Sequence, residues 1–113
     1  MVEMKLNPSP FAMIKSGEKT IELRLFDEKR QKIKPGDTIV FTNNATGETL
    51  KASVKKLYRF ENFRQLYAAL PLLQCGYTEE DVCQAKPSDM EAYYSVDQQE
   101  KYGVVGIAID VKD

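Results

Sequence analysis

The sequence predicts an α+β domain: a small closed mixed β-barrel with short helices packed around it. Three observations point there. Apolar and polar residues alternate between short turns over residues 19–60. A helical period replaces that alternation in the middle of the chain, at about 61–101. The chain then closes on "VVGIAIDV" (104–111), an apolar strand able to be buried on both faces.

The elements follow in order. Val2 to Leu6 reads as a short strand. "NPSPFAMIKSG" carries helix signals, with Ser9 as cap, Pro10 at the first helical position and Gly17 at the left-handed C′ position. Lys19 to Phe26 alternates as a strand. "KPGD" (34–37) suits a type II turn, with φ preset by Pro35 and positive φ tolerated by Gly36. "TIVFTN" and "TLKASVKKLYRF" are the next strands, separated by the turn cluster "NATGET". These three strands are expected to form a meander that curls over a core.

In "ENFRQLYAAL", Phe63, Leu66, Tyr67 and Leu70 form one apolar helical stripe. "YTEEDVCQA" predicts a helix start capped by Thr78. "PSDMEAYY" repeats the pattern, with Ser88 and Glu91 spaced as a capping box, and "DQQEKYG" supplies one more turn. The closing strand is expected to return beside the early ones and complete the barrel.

At 113 residues, 42% apolar and 29% charged, the chain has the size and composition of one globular domain spanning 1–113, with a helical insertion at about 61–101. Its apolar runs are far shorter than the roughly 20 residues of a membrane helix. "MVEMKLNPSP" lacks a basic segment followed by an apolar one, so a cytoplasmic location with no membrane partner is expected. Cys75 and Cys83 do not form a CxxC pair and there is no histidine, so free thiols, no metal and no cofactor are expected.

The net charge of −1 conceals a split. Residues 15–64 carry 12 Lys/Arg against 7 Asp/Glu, whereas residues 65–113 carry 3 against 9. A protein that lives on phosphate neutralisation is ordinarily basic overall, so a long duplex footprint is not expected. A local basic patch for a short nucleotide segment fits the first half. Docking of the two halves on each other fits the same numbers.

Without histidine, acid–base work falls to carboxylates, lysine, tyrosine or a thiol. Both cysteines lie in the acidic half, where a thiolate is disfavoured. The segment "SGEKTIELRL" (16–25) is the richer candidate. On a strand, Glu22 and Arg24 share one face about 7 Å apart, opposite Ile21, Leu23 and Leu25. Lys19 joins them only if the chain is still turning between Gly17 and Thr20. Alternation alone equally describes a solvated strand face. Three such groups beside a helix end also suit the grip of a polar, partly anionic ligand.

"GEKTIELR" resembles the G-x-K-x-x-E-x-R signature of the ASCH domain, a branch of the PUA-like superfamily, at Gly17, Lys19, Glu22 and Arg24. The tail "EKYGVVGIAIDV" is similar to the closing segment of that family. The resemblance implies a PUA-like barrel with the motif in a cleft, and an RNA or nucleotide ligand. Lys19 would contact a phosphate or carbonyl, and Glu22 would accept from a base or ribose. Arg24 would clamp phosphate or hold Glu22, and Tyr102 would line the cleft and offer a ring. The alternative is a small hydrolase of the same fold, a nucleoside amidohydrolase or ribonuclease, using Lys19 and Glu22 as catalytic groups. Against the amidohydrolase pattern, the nucleophilic threonine corresponds to Glu22, Thr20 is out of register, and the assisting glutamate (Glu79 or Glu80) is not uniquely placed.

Overall fold

The computed structural model of the protein describes residues 2–111, so the extreme ends of the predicted 1–113 domain lie outside the described residues. Five strands build one mixed sheet: β1 (Val2–Leu6), β2 (Ile21–Leu25), β3 (Thr38–Asn43), β4 (Thr49–Phe60) and β5 (Val104–Val111). Helix α1 (Pro8–Ser16) joins β1 to β2; α2 (Phe63–Ala69) and α3 (Val96–Tyr102) lie between β4 and β5. The strand order is β1-β3-β4-β5-β2, with β1 parallel to β3 and the other neighbours antiparallel.

That order corrects the expected closure and the expected three-strand meander, since β2 pairs with β5 and not with β3. β5 inserts between β4 and β2, as anticipated for a returning strand, but β1 and β2 remain at opposite edges. The sheet curls into an open half-barrel.

Register explains the two cores. Directly opposed residues of an antiparallel pair point to the same face. Glu22 is opposite Ile107 and Arg24 opposite Val105, so the charged face of β2 points with the main core inside the curl. That core holds Met4, Leu6, Phe11, Ile14, Phe41, Val105 and Ile107. Ile21, Leu23 and Leu25 face the other way, beneath Phe63, Leu66 and Tyr67 of α2. β5 is buried on both faces, as the apolar run predicts. Gly106 at its centre admits Leu70: a Cβ there would lie 2.6 Å from Leu70 Cδ1.

Most local signals are obeyed. Gly17 ends α1 with φ 89°, its N–H donating to Ile14 O. In the 34–37 turn, Gly36 has φ 96° and Asp37 N donates to Lys34 O. The α1 cap falls earlier than predicted, at Asn7 with Pro8 as the first helical residue. Residues 78–95 depart further. They form two short 3₁₀ turns, Val82–Gln84 and Pro87–Ala92, instead of α-helices. Asp81 accepts from Thr78 N in the turn that precedes Val82–Gln84, and Asp89 accepts from Lys86 N at the start of Pro87–Ala92; the predicted Thr78 and Ser88–Glu91 caps do not form.

Candidate functional site

The motif converges because the chain leaves α1 still turning. After the left-handed Gly17, Lys19 N donates back to Met13 O at 3.0 Å, and regular strand begins only at Ile21. Strict alternation would place Lys19 with the apolar trio. The turn instead delivers its ammonium to Glu22 Oε1 at 3.0 Å. Leu23 N donates to the same oxygen at 3.2 Å. Arg24 donates to Glu22 Oε2 through Nε at 3.2 Å and Nη2 at 2.9 Å. These four bonds fill the acceptor capacity of an ionised carboxylate.

Glu22 is only 3% exposed and Lys19 9%, so this is not a solvated strand face. Burial alone would push the Glu22 carboxyl up. The Lys19 and Arg24 charges and their hydrogen bonds outweigh it and hold the group below its ordinary value. Glu22 is therefore a fixed anion that positions two cations. The acceptor role towards a base or ribose implied by the resemblance has no free lone pair to serve it.

Lys19 and Arg24 border a cleft of about 620 Å³, within the range of small-molecule sites. Its far wall comes from the segment after α2. Gly76, with φ 110°, lies over the Lys19 stem, where a Cβ would meet Lys19 Cδ at 3.3 Å. Tyr67, Tyr77, Tyr93 and Tyr94 line the same cleft, four of the six tyrosines of the chain. Tyr94 stacks on Phe63 with a 16° interplanar angle and sets its hydroxyl against the Arg24 guanidinium. Burial pushes the Tyr94 hydroxyl up against the opposing pull of Arg24.

A second polar line runs along the wall. The Tyr67 and Tyr77 hydroxyls are 2.7 Å apart, and Tyr77 donates to Asp89 Oδ2 at 2.8 Å. An ionised aspartate only accepts. Tyr77 therefore donates its hydrogen bond to Asp89, Tyr67 donates to Tyr77, and the Tyr67 oxygen is left as an acceptor. Burial pushes the Tyr77 hydroxyl strongly up, its bonds to Tyr67 and Asp89 adding to the effect, so the chain stays protonated. Cys75, also at the cleft, is a buried thiol pushed up to about 11 by burial despite Lys19 nearby.

The structure thus brings Lys19, Glu22 and Arg24 together and leaves Tyr102 out. Tyr102 packs against the helical-side core and lines a separate groove with Phe26, Arg59 and Phe60. α3 ends one residue before Gly103, on the far side of β2 from the motif face. The rings at the cleft come from residues 67–94, which sequence reasoning missed. The one available signal was the concentration of tyrosine in the insertion. Glu79 and Glu80 are exposed and do not line the cleft; Asp81 and Asp89 do. Among the described residues no group of His, Cys, Asp and Glu could hold a metal ion, and no helix is long and apolar enough to cross a membrane.

A curled five-stranded mixed sheet with helices packed around it is an ASCH-type, PUA-like α+β fold. The chain belongs to the ASCH domain family, whose pattern matches residues 4–112. It is similar to hypothetical protein PH0355, with 35% identity, 97% of each chain covered and a TM-score of 0.79. It is also similar to protein PF0455 from Pyrococcus furiosus, at 34% identity over 99% of this chain and 97% of that one, TM-score 0.72. ASCH from Zymomonas mobilis shares the fold, with 14% identity over 98% of this chain and 66% of that chain, TM-score 0.61. No curated protein matches the sequence.

Proposed function

We propose that this protein binds RNA or a nucleotide by admitting a base to the cleft beside Lys19 and Arg24. The observation that carries this reading is the convergence of the three motif side chains on one concave site roofed by tyrosines. The Lys19 ammonium uses one of its three donors on Glu22 and retains others for a carbonyl or ring nitrogen. The tyrosines of the wall supply aromatic faces and an acceptor at Tyr67, a set suited to a planar heterocycle.

The hydrolase alternative fits this geometry less well. A carboxylate held ionised by two cations is a weak base, and Glu22 has no open lone pair. The Thr20 hydroxyl donates to Gln74 Oε1 and does not line the cleft. The Cys75 thiol stays protonated at neutral pH.

Titration of the protein with nucleosides, nucleotides and short single-stranded RNA, followed by amide chemical shifts, tests the reading. Saturable shifts confined to the cleft, abolished in Lys19→Ala while the variant remains folded, are expected. Shifts elsewhere, or unchanged affinity in the variant, would overturn it.

A further inference from the structure

The hydrogen bonds along the cleft wall run in one fixed direction, and Asp89 sets it. Its Oδ2 accepts from Lys86 N at 3.2 Å and from the Tyr77 hydroxyl at 2.8 Å, and these bonds hold the carboxyl below its ordinary value. At neutral pH it is an anion with no proton to donate. The Tyr77 proton is thus committed to Asp89, and the 2.7 Å contact between the two tyrosine hydroxyls is made by the Tyr67 proton. Tyr67 then meets the cleft with lone pairs only.

Burial gives this direction its consequence. Tyr67 is 9% exposed, and Phe63 and Tyr77 pack edge-on to its ring at centroid distances of 6.4 and 5.8 Å, which holds the oxygen in place. A buried oxygen that can only accept favours a ligand group that donates and disfavours one that presents a lone pair. Lys19 is of the opposite kind: one donor is engaged by Glu22, and the ammonium accepts nothing. The Cys75 thiol lies within electrostatic reach of both the Lys19 ammonium and the Tyr67 hydroxyl, so donor and acceptor share one part of the cleft.

We infer that Asp89, acting through Tyr77, makes Tyr67 a one-way acceptor, so that the cleft selects heterocycles carrying an N–H donor beside a carbonyl or ring-nitrogen acceptor. This rests on the proposed nucleotide-binding reading and narrows it: the base is read at its amino or imino edge instead of being held by stacking alone. Asp89 is a positioning residue, since it acts through the two tyrosines. A merely structural role for the wall would change the affinity of all rings alike and leave their ratio untouched.

The test compares cytidine and adenosine, by calorimetry, with analogues whose exocyclic amino group is replaced by hydrogen, a change that adds no bulk. Each amino nucleoside is expected to bind the wild-type protein about tenfold more tightly than its analogue. Tyr77→Phe keeps the ring that packs on Tyr67 and frees the Tyr67 proton for a ligand acceptor. The preference should fall there to about twofold or less, chiefly through stronger binding of the analogues. Asp89→Ala should lower it likewise, whereas Asp89→Asn keeps an oxygen where Lys86 N and Tyr77 both donate and should retain it. Equal binding of nucleoside and analogue by the wild type, or an unchanged preference in Tyr77→Phe and Asp89→Ala, overturns the inference while the binding reading stands. Asp89→Asn behaving as Asp89→Ala overturns the direction assigned to the bonds. No binding of any of these compounds removes the binding reading as well.

Discussion

Arg24 donates from Nη2 to the carbonyl oxygen of Lys5 at 3.0 Å, and so joins the two edge strands that the sheet leaves apart. The same guanidinium holds Glu22 on its other side. The motif is therefore part of the barrel seam as well as of the cleft, and changes to it should register in both stability and binding.

Arg24→Lys keeps the charge and loses the planar fork that reaches Glu22 and Lys5 together. A loss of about 1–2 kcal/mol is expected from the missing charge-assisted bonds. Hydrogen exchange should show it first as faster opening of β1 and β2. Exchange accelerated equally across all strands would mean that the seam has no separate existence.

Glu22→Gln leaves two buried cations without their shared anion. Breaking a buried pair in this way costs about 3 kcal/mol or more, readable as a lowered midpoint of urea unfolding. An unchanged midpoint would show that the three charges are not coupled.

The acid limb follows from the same group. The folded-state value for Glu22 lies below its ordinary 4.5, so protonation favours the unfolded chain. Its contribution is complete above pH 4.5 and declines as pH falls through the lower folded value. The stability difference between wild type and Glu22→Gln should thus be flat from about pH 7 to about pH 5 and shrink only below that window. A gap that shrinks already near neutrality contradicts the assignment.

Gly76→Ala should act on both the fold and the site. Its φ of 110° is strained for any residue with a Cβ, and the added methyl meets the Lys19 stem at 3.3 Å. A destabilisation of about 1–2 kcal/mol is expected, together with weaker ligand binding as the ammonium shifts. Undisturbed affinity would show that Lys19 is not held by this contact.

The thiols should separate by environment. Cys83 is exposed, whereas Cys75 is buried with its thiol pushed up to about 11. A thiol-specific chromogenic reagent at neutral pH should titrate one cysteine in the native protein and the second only after unfolding. Prompt modification of both would contradict the closed wall.

The strands, Gly17, Gly36 and the doubly buried β5 were legible because period-two alternation and positive-φ glycines act through nearest neighbours. The charged face of "IELR" was legible too, but not its direction. Alternation assigns Glu22 and Arg24 to one face without saying whether that face meets solvent or core. Only the pairing with Val105 and Ile107 turns it inward. Residues 78–95 do not form the expected helices because the helix-start chemistry of "TEED" and "SDME" is equally satisfied by short turns in which Asp81 and Asp89 accept from backbone N–H groups three residues earlier. Tyr102 was misplaced since adjacency to the last strand does not reveal which side of β2 its helix covers.

By itself, then, the sequence determined the five strands, the helices that follow β1 and β4, the last helix and the three residues of the motif, because those depend on local backbone preference and spacing. Tertiary structure decided that the half-barrel stays open, that Glu22 lies buried between two cations, and that four tyrosines and two aspartates roof the cleft. The reason is physical: side chains up to 72 positions apart meet only through strand register and the docking of a wall whose position no local pattern encodes, as Glu22 and Tyr94 do through Arg24.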